Sequence, residues 1–200
     1  MPIAAVRYTA NQGAEVDRLL VDVARTLRGA GVRLAGSIQH NTENGGRACQ
    51  AMMLEDLGTG SRLQICEAMT SPQDTCRIDE AALARAVDLA HLAIARDCDL
   101  LVVNKFGKRE AFGRGFAPVI AEAHRAGIPI LVGVNDWNAE AWDAVWAGKS
   151  RVLEPDLRHV IGWFEALRQD VAARAEPAGD APTATGQDSR DNGRGAGRAR

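Results

Sequence analysis

Leu100-Leu-Val-Val-Asn-Lys-Phe-Gly-Lys-Arg-Glu-Ala-Phe-Gly-Arg-Gly115 is the stretch that decides how this chain is read. Its first four residues form a continuous apolar run, the pattern of a strand covered on both faces. The loop behind them carries Lys105, Lys108, Arg109 and Arg114, with glycines at 107, 113 and 115. Ligands of open α/β sheets gather at the carboxyl ends of strands. Interleaved cations and glycines suit an anion there, because the glycines let backbone come close while the cations neutralise charge. A solvated charge run is the alternative, and the residues alone leave both readings open.

Strand and helix patterns alternate to either side of that loop. Residues 3–8 and 32–40 read as strands. Between them Val16, Leu19, Leu20, Val23 and Leu27 fall on one helical face, with Gly29 and Gly31 to stop the helix and Gly13 in the loop before it. The segments 51–57 and 61–66, parted by Gly58-Thr-Gly60, read as a β-hairpin. Asp79 can cap a helix with Leu83, Val87, Ala90 and Ile94 on one face. Residues 128–134 form a second covered strand. Helices are expected over 116–125, around Trp142 to Trp146, and over 159–174. Strands separated by helices predict an α/β fold with a doubly wound, mainly parallel sheet, to which the hairpin is an antiparallel addition.

The chain is 46% hydrophobic over 200 residues, enough for the core of one domain, assigned to 1–175. Residues 176–200 hold no large apolar side chain, so they are expected to be a disordered tail. A net charge of −2 and a pI near 6.1 give no bulk attraction to nucleic acid, and none is expected as partner. Apolar runs fall far short of the ~20 residues that cross a bilayer, and the start Met-Pro-Ile-Ala-Ala-Val-Arg-Tyr lacks the pattern of a signal peptide. The expectation is a cytoplasmic protein without membrane insertion. The cysteines at 49, 66, 76 and 98 include no CxxC pair, so they read as reduced thiols and no metal site is assigned. Cys49 and Cys76 flank the hairpin.

Other candidate chemistry is sparse. Thr9-Ala-Asn-Gln-Gly-Ala-Glu15 joins the first strand to the first helix, where GxxxxGK[ST] would cradle a phosphate. It has one glycine and no lysine, and Glu15 and Asp17 already complement the helix dipole, so it reads as an ordinary turn. Asn135, Asp136 and Asn138 end the 128–134 strand on the same rim as the basic loop, and either bond a ligand or cap the next helix. His40 ends a strand, and His91, His124 and His159 lie on predicted helices without metal spacing. No HExxH or GxSxG is present.

Five pieces carry a resemblance: Ala4-Ala-Val-Arg-Tyr8, Gly36-Ser-Ile-Gln-His40, Leu54-Glu-Asp-Leu-Gly-Thr-Gly60, Cys76-Arg-Ile-Asp79 and, most specifically, Asn104 to Gly115. Over residues 2–167 the chain resembles a bacterial family of unknown function often found near molybdate uptake genes. That family is similar, more remotely, to small P-loop nucleoside-triphosphatases, whose corresponding strand ends in Asp-Glu-Ile-Gly-x-x-Glu. On that pattern Asn104 replaces the magnesium-linked Asp and Lys105 the Glu that activates water, while Gly107 and Glu110 match. The resemblance implies a P-loop-NTPase-like three-layer sandwich with degenerate Walker motifs.

The expectation for function is binding of a small anionic ligand, a nucleotide or a molybdate-like oxyanion, without conventional hydrolysis. Lys105, Lys108, Arg109 and Arg114 would supply charge. Gly107, Gly113 and Gly115 would allow close approach, and Asn104 and Asn135 would orient the ligand. By association with the family, the process would be molybdate or metal-cofactor metabolism. One alternative is a divergent nucleoside-triphosphatase with Glu110 as its remaining carboxylate. Another is an adaptor that binds a protein partner or a second copy through Trp137, Trp142, Trp146 and Trp163, with core packing as the plainer role for those tryptophans.

Overall fold

The computed structural model describes residues 2–42, 51–66 and 77–175. Cys49, Cys76, the Gly45-Gly46 pair and residues 176–200 lie outside the described residues. Among the described residues seven strands form one sheet: β1 (Ile3–Tyr8), β2 (Leu34–Thr42), β3 (Ala51–Asp56), β4 (Arg62–Gln64), β5 (Leu100–Phe106), β6 (Ile130–Asn135) and β7 (Ser150–Leu153). Their order is β4-β3-β2-β5-β6-β1-β7. Pairs β2/β5, β5/β6, β6/β1 and β1/β7 are parallel. The hairpin β3/β4 runs antiparallel on β2. Among the described residues the α-helices are α1 (Gly13–Gly29), α2 (Glu80–Ala95), the single turn α3 (Lys108–Ala111), α4 (Ala117–Ala126), α5 (Ala139–Trp146) and α6 (Leu157–Ala175).

Alternation along the strands divides the core in two. Ile3, Ala5, Leu101, Val103, Ile130 and Val132 pack against buried residues of α2, α4 and α5. Ala4, Val6, Leu100, Val102 and Leu131 face α1 and α6 on the other side. Successive strand side chains point to opposite faces, so apolar runs such as Leu100 to Val103 serve both layers at once. The result is the expected three-layer α/β sandwich with an added hairpin.

Some details differ from the sequence reading. Gly13 opens α1 and does not lie in the preceding loop, because the connection from β1 is a short 3-10 turn at Ala10–Gln12. β2 starts and ends two residues later than expected. The edge strand β7 was not foreseen: Ser150 to Leu153 is short and only Leu153 is buried, so it lacks an apolar pattern. Three of the four tryptophans, Trp142, Trp146 and Trp163, are core residues, while Trp137 is 81% exposed. No helix among the described residues is long and apolar enough to cross a membrane.

Candidate functional site

The register between β5 and β6 runs evenly to Val103↔Val132, then slips so that Phe106 pairs with Val134. This bulge at Asn104 and Lys105 changes where side chains point. Val103 and Phe106, three residues apart, both enter the core under α2, α4 and α5. Asn104, almost wholly buried, turns to the α1 side. Its Nδ2 donates to Asp17 Oδ1 at 2.7 Å, and its Oδ1 accepts the Gln39 backbone N–H at 3.0 Å. One amide thus ties β5, β2 and α1 together. Burial, with the nearby Asp17 charge, pushes the Tyr8 hydroxyl up to about 12, so it stays protonated.

The basic loop is built around a carboxylate. Glu110, on α3, folds back so that Oε2 accepts the Gly107 N–H at 2.9 Å and Oε1 accepts the Phe116 N–H at 3.0 Å. Gly115 has φ +56° and approaches so closely that a Cβ there would lie 2.1 Å from Glu110 Oε1. With Glu110 turned inward, Lys105, Lys108 and Arg114 face solvent. Arg109 donates to both Glu80 oxygens, at 2.6 and 2.5 Å, and its guanidinium holds the Glu80 carboxyl below the usual range.

Beside this loop lies a cavity of about 240 Å³. Its mouth carries Lys105, Lys108 and Arg109, while Asn104, Gly107 and Glu110 also contribute to its lining. Its inner wall is mostly apolar, from Leu54 and Ile65 of the hairpin region, Leu83 of α2, Val103 and Phe116. Ser37 and Gln39 of β2 supply buried polar groups there. Gly113, Arg114, Gly115 and Asn135 do not line it. Arg114 belongs to an adjoining depression with Glu80, Phe112 and the outer sides of Lys108 and Arg109. Asn135 Oδ1 accepts from the Asn138 backbone and side-chain amides, at 3.2 and 2.8 Å, so it caps the turn after β6.

The sequence reading thus located the rim and missed the wall. Ser37 and Gln39 were a usable signal: they are polar residues at alternate positions beside the apolar Leu34, Ala35 and Ile38 of the same strand. The hairpin's share could not be foreseen, because strand pairing decides it.

The β1–α1 connection is closed on itself. Thr9 donates its N–H and its hydroxyl to Gln12 Oε1 at 3.0 and 3.1 Å. Val16 is buried against the sheet, and Glu15 stands in the first helical turn. Elsewhere, His40 meets Glu55 and His91 meets Glu122. Cys66 and Cys98 are free and buried, and burial pushes the Cys98 thiol up to about 11. No cluster of three or more His, Cys, Asp or Glu that could hold a metal occurs among the described residues.

Comparison with known proteins fits this architecture. The solved structure of THEP1 from the hyperthermophile Aquifex aeolicus has a TM-score of 0.55 with this chain at 12% identity, covering 84% of this chain and 96% of that one. The shared fold is the P-loop-NTPase-like sandwich. The "Molybdenum import ATP-binding protein ModC 2" of Bradyrhizobium diazoefficiens is 37% identical over 162 residues. That stretch is 81% of this chain but 18% of the relative's length. Residues 3–163 match the model of a family described as protein of unknown function, DUF2478, and the chain belongs to that family.

Proposed function

We propose that this chain is a ligand-binding module on a P-loop-type scaffold, which holds a small anion at the Lys105–Lys108 rim and does not hydrolyse nucleoside triphosphates in the conventional way. The observation that carries this is the Asn104–Asp17 hydrogen bond. P-loop enzymes hold magnesium between the Ser/Thr that ends GxxxxGK[ST] and an Asp at the end of a neighbouring strand. With Asp17 in the place of the hydroxyl, Val16 falls where the lysine would be, and Asn104 stands for the Asp. The pair that would bind a cation binds itself. The turn that would wrap phosphate closes on the Gln12 side chain. These residues do not fit a magnesium nucleotide at the β1–α1 turn, so no step is derived through one.

Positive charge instead gathers two strands along the sheet, after β5. Lys105 and Lys108 make no ion pair with any described residue, and they sit over a cavity. Glu110 does not favour the divergent-triphosphatase reading, since both its oxygens already accept backbone N–H groups. The similarity to a molybdenum import protein supports a role in molybdenum uptake or handling, with molybdate, phosphate and nucleotides as the anions to try first. Calorimetric titration with each, with and without magnesium, tests the proposal. Binding independent of magnesium, and at least tenfold weaker in Lys105→Ala/Lys108→Ala, is expected. Magnesium-dependent phosphate release, or anion binding unchanged in the double variant, would overturn it.

A second reading has two observations in its favour. Trp137 is exposed on the turn after β6, and the chain spans a small part of its longer relative, as a docking module within a larger assembly would. Partner capture lost in Trp137→Ala but kept in the lysine variant would favour that reading.

A further inference from the structure

The cavity behind Lys105 and Lys108 does not suit a bare oxyanion. At about 240 Å³ it is roomier than a four-oxygen anion needs. The inner wall of Leu54, Ile65, Leu83, Val103 and Phe116 offers such an anion no donors, and dehydrated charge against apolar wall is unfavourable. Cations stand only at the mouth.

On the same wall Ser37, 2% exposed, contributes a polar group. A hydroxyl on a mostly apolar wall gives a ligand's polar substituent a place to hydrogen-bond. Arg109 is already committed to Glu80, which leaves Lys105 and Lys108 to meet an anionic group.

We propose that the cavity seats a small ring-bearing acid. Its flat apolar body lies between β5 and α2, a polar ring substituent meets the Ser37 hydroxyl, and its carboxylate or phosphate stays at the mouth on Lys105 and Lys108. This rests on the anion rim proposed above and adds the class of molecule that reaches through it. Aromatic and heterocyclic acids share this chemistry, whether free metabolites or parts of a larger cofactor.

The probes are phenyl phosphate, inorganic phosphate and benzyl alcohol, each titrated into the full chain. Phenyl phosphate is expected to bind at least tenfold more tightly than either of the others. Saturation of protein methyl groups should transfer to its ring protons in NMR. Leu83→Trp, which fills the cavity from α2, should weaken phenyl phosphate at least tenfold and leave inorganic phosphate unchanged. Ser37→Ala keeps the packing, and should abolish any preference for 3-hydroxyphenyl phosphate over phenyl phosphate. Equal binding of phosphate and phenyl phosphate, with no transfer to the ring, would overturn the ring-acid inference while the anion rim stands. Binding of neither, or phenyl phosphate binding undiminished in Lys105→Met/Lys108→Met, would overturn both.

Discussion

Asn104 of β5 and Asp17 of α1 are joined by a 2.7 Å hydrogen bond. The donor is an amide on a bulged strand, and the acceptor a carboxylate on the helix. The same Asn104 amide accepts from Gln39, so the bond is one end of a bridge to β2. Asn104 is almost wholly buried, so separation would leave its amide N–H without this acceptor.

Replacing Asn104 by Asp tests what the amide does. Asn104→Asp sets two carboxylates face to face and removes the donor. One of them must take a proton or repel the other, so its folded pKa rises above its unfolded value. An acid shifted in that direction weakens the fold as pH rises through its unfolded value of about 4, and the fold recovers on acidification. The variant should lose about 2 kcal/mol or more at pH 7, roughly 5 °C in Tm, with a smaller gap at pH 5. Adding Asp17→Thr restores a donor opposite the new carboxylate and should recover part of the loss. A single variant as stable as the parent at pH 7, or a double variant no better than the single, would show that the bond does not hold β5 to α1.

The Glu110 clamp predicts a non-additive pair. Glu110→Ala leaves the Gly107 and Phe116 N–H groups without their acceptor and should cost about 2–4 kcal/mol. Gly115→Ala strains a positive φ and drives a Cβ into the same carboxylate. In the Glu110→Ala background that collision is gone and only the backbone strain remains. Gly115→Ala should therefore cost less there than in the parent, a coupling visible by denaturant unfolding of the four proteins. Strict additivity would mean that Glu110 does not shape the loop.

The legible part of the molecule was the part written in local pattern. Leu100 to Val103 and Ile130 to Val134 announce covered strands because both faces need apolar side chains, and Asp79 announces a helix start. The cap is seen in its bonds to the Ala81 and Ala82 N–H groups, at 2.9 and 3.0 Å. The basic rim was legible because Lys105, Lys108 and Arg109 are close in sequence. The cavity wall was not, since Leu54, Ile65, Ser37 and Leu83 meet only after the hairpin adds to β2 and α2 lies across it. The bulge at Asn104 was hidden too. Nothing in Val-Val-Asn-Lys-Phe shows that Val103 and Phe106 will share a face, because the slip is imposed by pairing with β6.

Gly36 marks a closer approach than the rim glycines. It sits in β2 with φ +93°, and a Cβ there would fall 2.0 Å from the Val102 carbonyl oxygen of β5. That neighbour is backbone in the central strand pair and cannot move aside. Gly36→Ala should cost more than about 4 kcal/mol, the range of exceptional single substitutions, and abolish cooperative unfolding near room temperature. A folded Gly36→Ala protein with native near-ultraviolet circular dichroism would contradict the β2/β5 register.

The last prediction concerns pH and the hairpin. Glu55 on β3 is buried, and meets Arg28 of α1 at 2.6 Å, His40 of β2 at 2.9 Å and Arg62 of β4 at 3.4 Å. Burial alone would push its carboxyl up, but the hydrogen bonds from Arg28 and His40 outweigh it and hold it below the usual range. A carboxyl depressed in the folded state adds stability that is complete above its unfolded value of about 4.3 and is lost as pH falls through the folded value. Glu55→Gln keeps the shape and removes the charge. It should cost about 1–3 kcal/mol at pH 7, between the worth of an exposed pair and that of a fully buried one. Its stability should then fall less than the parent's between pH 5 and pH 3. Urea unfolding at several pH values reads both effects. Parallel curves over that interval would mean that the charge on Glu55 does not fasten the hairpin, and so the cavity wall it carries, to the sheet.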